Sequence, residues 1–197
     1  MGLLSKLKGK SRAKQRVFDD FLDDGDISAL FSINSRKITR CEAEQLPIIG
    51  MGVDLIAESI AEMPVYLYKR DTDGSRVKVD DNRNKLLNMN NGSYSNAFNT
   101  IKNLIADYIY HGNGYLDINR DNKNNIISLI HIPYKDISMN KSVDTNQRNA
   151  RYMYQYWNMN ASHHNVLNLV RNPKYDQMIG HGILDEGKLI LASLMAI

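Results

Sequence analysis

The sequence predicts an α+β fold in which amphipathic helices pack on antiparallel strand hairpins, with the chain ending inside a helix. Three observations carry that reading. Residues 47–64 and 98–111 hold apolar side chains at helical spacing. Asp71-Thr72-Asp73-Gly74 lies between two short strand-like runs, and Asp-Gly there favours a tight hairpin turn. Beyond His111 the period changes from helical to extended across Gly112-Asn113-Gly114.

From Pro47 to Pro64, Ile49, Val53, Ile56, Ile60 and Met63 define the expected core face of the first helix. Asp54, Glu58 and Glu62 share the opposite face, where like charges one turn apart repel by a few tenths of a kcal/mol per pair. That stripe points to a basic surface facing it. Pro64 stops the helix. Val65 to Arg70 and Arg76 to Val79 read as strands, and Lys85 to Met89 as a short helical piece broken by Asn90-Asn91-Gly92. Ser95 is placed to cap the next helix, whose face is Phe98, Ile101, Ile105 and Tyr108, widened by Leu104 and Ile109. Gly112 ends it as a left-handed cap, because a residue without Cβ takes positive φ at no steric cost.

Tyr115, Leu116 and Ile118 read as a strand, Arg120 to Asn125 as a polar turn, and Ile126 to Ile132 as a second strand that Pro133 stops. From there to Ala150 the chain reads as an exposed polar loop. Tyr152 to Trp157 and Val166 to Val170 read as strands, with Met159 to His164 turning between them. Arg171 to His181 is a loop containing Pro173, and Gly180 and Gly182 are stops. Asp185 opens an apolar helical run through Leu189, Ile190, Leu191, Leu194, Met195 and Ile197. That run shows no cap. It reads as a helix cut within its length, with Ile190, Leu191 and Leu194 forming an exposed apolar patch.

The 197 residues suit one domain with appendages, and 43% apolar with 24% charged residues is ordinary for a globular protein. A net charge of +3 is too small to argue for nucleic acid. The single cysteine, Cys41, excludes an intrachain disulfide. No apolar run approaches the roughly 18–20 residues of a membrane span. Met1 to Arg16 carries Lys6, Lys8, Lys10, Arg12, Lys14 and Arg16 with no acid. It reads as a solvated terminus; the alternative is an arm that contacts DNA or an anionic surface. The acidic cluster Asp19, Asp20, Asp23, Asp24 and Asp26 fails the calcium-loop pattern, which needs glycine where Asp24 stands and glutamate where Leu30 stands.

The sequence offers no catalytic, cofactor-binding or metal-ligating constellation. No phosphate loop, G-x-S-x-G elbow or H-E-x-x-H is present. Nothing local activates Cys41. His163-His164, read as neighbours on a strand, would point to opposite faces. Tyr152, Tyr154 and Tyr156 share a strand face that could stack on bases, form a sheet surface or meet another subunit. An enzyme reading would require a pocket joining His111, His131 and a carboxylate.

The order of local patterns resembles a known family. Gly112-Asn113-Gly114-Tyr115 after a helix, then a basic turn, Leu129 and Pro133, resembles the central segment of tailed-phage portal proteins of the HK97 type. Their pattern at this point is a helix, a "GNAY" box, a hairpin and an "L…P" exit; Gly114 stands where alanine is usual. The resemblance runs from about Cys41 to the end. Ile48 to Gly74 matches the family's helix, proline and strand pair. Leu86-Leu87, Asn90-Asn91, Ser95 and Phe98 match its "LL…PN" segment, with Met89 where proline is expected. Tyr152 to Trp157, Val166 to Leu169 and Gly180 to Leu184 occupy the places of its later strands and of its lead into a long helix, with Asn168 where histidine is usual.

The resemblance implies a wing-like α+β domain over residues 41–184. Residues 1–40 would be a basic and acidic arm, and 185–197 the start of a helix leading to stem, clip and crown regions. It implies a non-enzymatic structural virion protein without cofactors, at the capsid portal vertex and, during assembly, in the host cytoplasm. The implied partners are further copies in a ring, usually a dodecamer, together with the major capsid protein, the terminase large subunit, a head–tail connector and DNA in the channel. No membrane partner is implied. The alternative is a stand-alone module binding nucleic acid or an anionic surface through its basic arm.

Overall fold

The computed structural model describes residues 38–142, 151–173 and 178–195. The basic arm, the acidic cluster and residues 143–150 lie outside them. The chain divides into a unit of Thr39–Glu186 and a second formed by Met1–Ile38 with Gly187–Ile197.

In the larger unit α1 (Arg40–Glu44) opens on a capping box: Glu42 N–H donates to the Thr39 hydroxyl, and the Glu42 carboxylate accepts from Thr39 N–H. Next, α2 (Pro47–Ala61) begins with proline, whose fixed φ suits the first turn. It packs on α4 (Ala97–His111) through its small residues, burying Val53 and Ala57. Ile56 and Met63, expected in the core, are half exposed. Small side chains allow the close helix–helix approach, and the bulky ones turn outward. The basic surface expected opposite the acidic stripe is in the same chain, since Lys102 of α4 lies 2.6 Å from Glu58 and 3.3 Å from Asp54. The hydrogen bond to Glu58 is the main cause of the raised Lys102 pKa.

β1 (Leu67–Arg70) and β2 (Arg76–Val79) form the expected hairpin, with Gly74 at φ 87° in its turn. The following helix, α3 (Asn82–Asn88), starts earlier than the reading from Lys85, because the Asp81 carboxylate caps it. Asn96, not Ser95, caps α4, accepting from Asn99 N–H at 2.8 Å. The buried face of α4 is also rotated from the expected one. It runs through Ala97, Thr100, Leu104, Asp107 and Tyr110, with Phe98, Ile101, Ile105 and Tyr108 only partly covered. Two buried polar residues, Thr100 and Asp107, lie on the true inner line.

Gly112, at φ 85°, caps α4 and delivers the chain to β3 (Asn113–Arg120). β3 is the centre of a three-stranded antiparallel sheet, between β4 (Ile126–Ile132) and β8 (Val166–Val170). A second sheet places β6 (Arg151–Tyr156) between β5 (Ile137–Ser142) and β7 (Met159–Ser162). Two segments differ from the sequence expectation. Part of the expected loop after Pro133 is a single helical turn, Tyr134–Asp136, followed by β5, and most of the expected turn after Met159 is β7. The actual turn is Trp157-Asn158, both at positive φ, a conformation whose twist suits a hairpin.

The alternation of β3 explains the layering. Gly114 comes against Leu104 of α4, while Tyr115 packs against the second sheet with Ile132, Tyr154, Tyr156, Ala161 and Val166. With both faces covered, residues 113–116 are all buried. Tyr154 and Tyr156 thus belong to the core, which corrects the reading of the tyrosine face as a surface for bases or another subunit. The short α5 (Ile183–Glu186) packs beside α4. In the second unit, α6 (Lys188–Met195) exposes Ile190 and Leu194 but buries Leu191, so the patch expected on this helix is narrower than its sequence indicates.

Candidate functional site

The residues that marked the sequence patterns converge on buried joints. At the first, Gly112 and Asn113 meet the segment before α5. A Cβ on Gly112 would lie 2.4 Å from the His181 nitrogen, one on Gly180 would lie 1.9 Å from the Gly112 carbonyl oxygen, and one on Gly182 would lie 2.1 Å from that of Tyr110. Three glycines therefore allow two backbones to cross at contact distance. Arg171 N–H donates to the Gly112 carbonyl at 2.8 Å, and His181 N–H to the Arg171 carbonyl at 2.8 Å.

Asn113 holds this crossing from inside. Its amide nitrogen donates to Asn168 Oδ1 at 2.8 Å and to the Met178 carbonyl at 3.0 Å, and its Oδ1 accepts from Gly180 N–H at 2.8 Å. A buried amide with its capacity so used rigidifies what it links. Asn168 also donates to the Met178 carbonyl at 3.1 Å. On the other side of β3, a Cβ on Gly114 would lie 2.5 Å from the Leu104 carbonyl oxygen. Glycine here reflects a helix lying directly against the strand.

The second joint is centred on Asp107. Its buried carboxylate accepts from Arg40 Nη1 at 2.6 Å, bonds His131 Nε2 at 2.9 Å and accepts from Tyr134 N–H at 3.0 Å. It thereby links α1, α4, β4 and the turn after Pro133. Arg40 also pairs with Glu44 and lies over the Tyr110 ring, 5.0 Å from its centroid. Burial lowers the Arg40 pKa, but the bond to Glu44 and the charges of Asp107 and Glu44 outweigh it and leave it raised. His111 stacks on Tyr134 with ring centroids 4.1 Å apart. His111, His131 and a carboxylate therefore do lie in one region, but the carboxylate is buried and spent on three structural partners.

A third joint uses Asn91, whose amide donates to Thr100 Oγ1 at 2.7 Å and whose carbonyl accepts from Leu129 N–H at 2.8 Å. Gly92, at φ 77°, passes so close to β4 that a Cβ would lie 2.2 Å from the Ile127 carbonyl oxygen.

The other candidates fall elsewhere. Cys41 is exposed. His163 and His164 lie in a turn, as the reading of a turn running to His164 expects, and their ring centroids are 3.9 Å apart, so they do not point to opposite strand faces. Among the described residues no group of three His, Cys, Asp or Glu side chains could hold a metal ion, and no helix is long and apolar enough to cross a membrane. A groove of about 650 Å³ is lined by Asp117, Arg120, Trp157, Met159 and Asn160, among others, and its carboxylate accepts from the Tyr156 hydroxyl at 2.7 Å. Burial and that carboxylate push the Tyr156 pKa up, and burial also raises that of Tyr115.

The description "phage portal protein" belongs to a family model that matches residues 47–197, which include the first and third joints and all of the second except Arg40 and its helix α1. The chain belongs to the phage portal protein family. Its fold is similar to that of an HK97 family phage portal protein from Corynebacterium diphtheriae, with 16% identity and a TM-score of 0.51, covering 79% of this chain and 46% of that one. It is also similar to a chain from the neck of an empty GTA particle computed with C6 symmetry, with 16% identity and a TM-score of 0.61, covering 80% of this chain and 42% of that one. The chain thus spans less than half the length of either solved structure. No curated protein matches it. Asn113, Asn168 and the glycines at the crossing are framework of a portal-family fold.

Proposed function

We propose that this chain contributes to the portal ring at one vertex of a phage head, as a non-catalytic structural subunit. In this reading the ring is the passage for DNA during packaging and ejection, and the docking platform for terminase, capsid and head–tail connector. The protein assembles in the host cytoplasm and remains in the virion. The observation that carries the proposal is the family match over residues 47–197. The fold likeness to a neck computed with C6 symmetry supports a ring. The buried joints agree with a mechanical role: each spends its polar groups on holding backbone segments together.

Disrupting the gene in phage-producing cells tests the reading. The expected result is loss of DNA-filled, tailed particles, restored by the gene in trans. An undiminished yield of filled, tailed particles would overturn it.

A further inference from the structure

Two surfaces of the Thr39–Glu186 unit are exposed and uncovered by other elements among the described residues, and each is unfavourable alone. The first is the outer side of α2. Ile48, Met51 and Leu55 are 77%, 72% and 68% exposed, on the side away from the Val53–Ala57 face. With apolar residues on both sides, α2 has the composition of a helix covered all round. Along the border of this stripe run Asp54, Glu58 and Glu62. Lys102 serves only the first two, and Glu62 is exposed, with no ion pair among the described residues.

The second surface is one face of the β1–β2 hairpin. Tyr68 lies opposite Lys78, and Arg70 opposite Arg76. Cross-strand partners share a face, so both arginines and Lys78 are grouped with Tyr66 and Tyr68, which are 50% and 58% exposed. Like charges directly opposite one another destabilise a strand pair. Neither arginine has an ion-pair partner among the described residues. Asn84 and Asn88 of α3 hold the hairpin at its base, bonding the Val79 carbonyl and both backbone groups of Val65. An isolated two-stranded hairpin with exposed faces is marginal in water.

We infer that the Tyr66–Tyr68–Arg70–Arg76–Lys78 face of one subunit docks on the acid-bordered apolar side of α2 in the next copy of this chain. A cyclic ring is built from heterologous contacts, which need two different complementary patches on each subunit. These two patches are complementary in charge, and both carry exposed apolar side chains. Their contact places cations against the Glu62 border and tyrosine rings against Ile48, Met51 and Leu55. The inference rests on the ring reading above and assigns it a surface.

The test uses the full chain with the photo-crosslinker p-benzoylphenylalanine at position 68, mixed with an isotope-labelled copy so that links between copies are identified by mass. The expected crosslinks join position 68 to residues 48–62 of the other copy. Arg70→Glu with Arg76→Glu weakens that link about ten-fold or more, and Glu62→Lys in the other copy restores it. Links confined to one chain, links between copies elsewhere, or no links would overturn the inference. So would DNA binding lost in the arginine variants without any link between copies. Particles that keep an intact ring with both arginines reversed would refute this surface and leave the portal reading standing. Absence of the wild-type chain from particles would refute the portal reading itself.

Discussion

Replacing Asp107 with alanine removes the acceptor for three donors at once. Tyr134 N–H is left partly buried without a partner, and an unsatisfied buried donor costs about 1–3 kcal/mol. His131, with a side chain 15% exposed, loses a bond worth about 1 kcal/mol. Arg40 is 35% exposed and keeps Glu44, so its loss belongs with exposed pairs at about 0.5–1 kcal/mol. Together these give a destabilisation of about 2.5–5 kcal/mol, a large part of the 5–15 kcal/mol that typically holds a domain folded. Asp107→Asn keeps one acceptor but turns an amide N–H₂ toward a donor, so it recovers at most half. Urea unfolding followed by circular dichroism measures both variants. A loss below about 1 kcal/mol for alanine, or an asparagine variant as stable as wild type, would refute the joint and favour the view that a buried carboxylate is a net cost.

Further outcomes follow from the other joints. Asn113→Ala should speed hydrogen exchange at Gly180 N–H by about ten-fold or more, since that amide loses its acceptor; unchanged protection would show that Asn113 does not hold the crossing. Gly114→Ala should destabilise by about 1–3 kcal/mol although alanine is usual at this place in the resembling portals, because its Cβ meets the Leu104 backbone; a neutral effect in urea unfolding would mean that α4 moves away freely. The raised pKa values of Tyr115 and Tyr156 mean that above pH 10 the unfolded chain loses phenol protons that the folded chain keeps. Stability should therefore be level below about pH 9 and fall as pH rises from 10 toward 12, less steeply in Tyr156→Phe. An identical fall in the variant, read as melting temperature against pH, would remove Tyr156 from that account.

Much of the fold was legible where local chemistry decides it. The Asp-Gly turn, the proline-bounded α2, the glycine cap at 112 and the two strands after it all follow from backbone preferences of single residues. The capping box Thr39–Glu42 was also present in the sequence, and it marks an α1 that hydrophobic periodicity alone does not reveal. What failed depended on tertiary context. The inner face of α4 is centred on Thr100 and Asp107, which are polar and so add nothing to an apolar count. β5 was hidden because its ISMNKS run is polar, and β7 because the two-residue turn before it lacks glycine. Asp107 itself carried a signal: an acid within an apolar helix, with Arg40 and His131 available elsewhere in the chain. No spacing rule joins residues so far apart. The framework role of Asn113 was visible only as family resemblance, because its partners lie at 168, 178 and 180.

The most direct test of the central claim is to locate this chain in purified particles by electron cryomicroscopy, using a small tag on the exposed hairpin turn at Asp73. The account predicts tag density in a ring at one vertex, where head meets tail, and none at the other vertices. Tag density spread over the capsid surface or along the tail, or a particle without the chain, would contradict it.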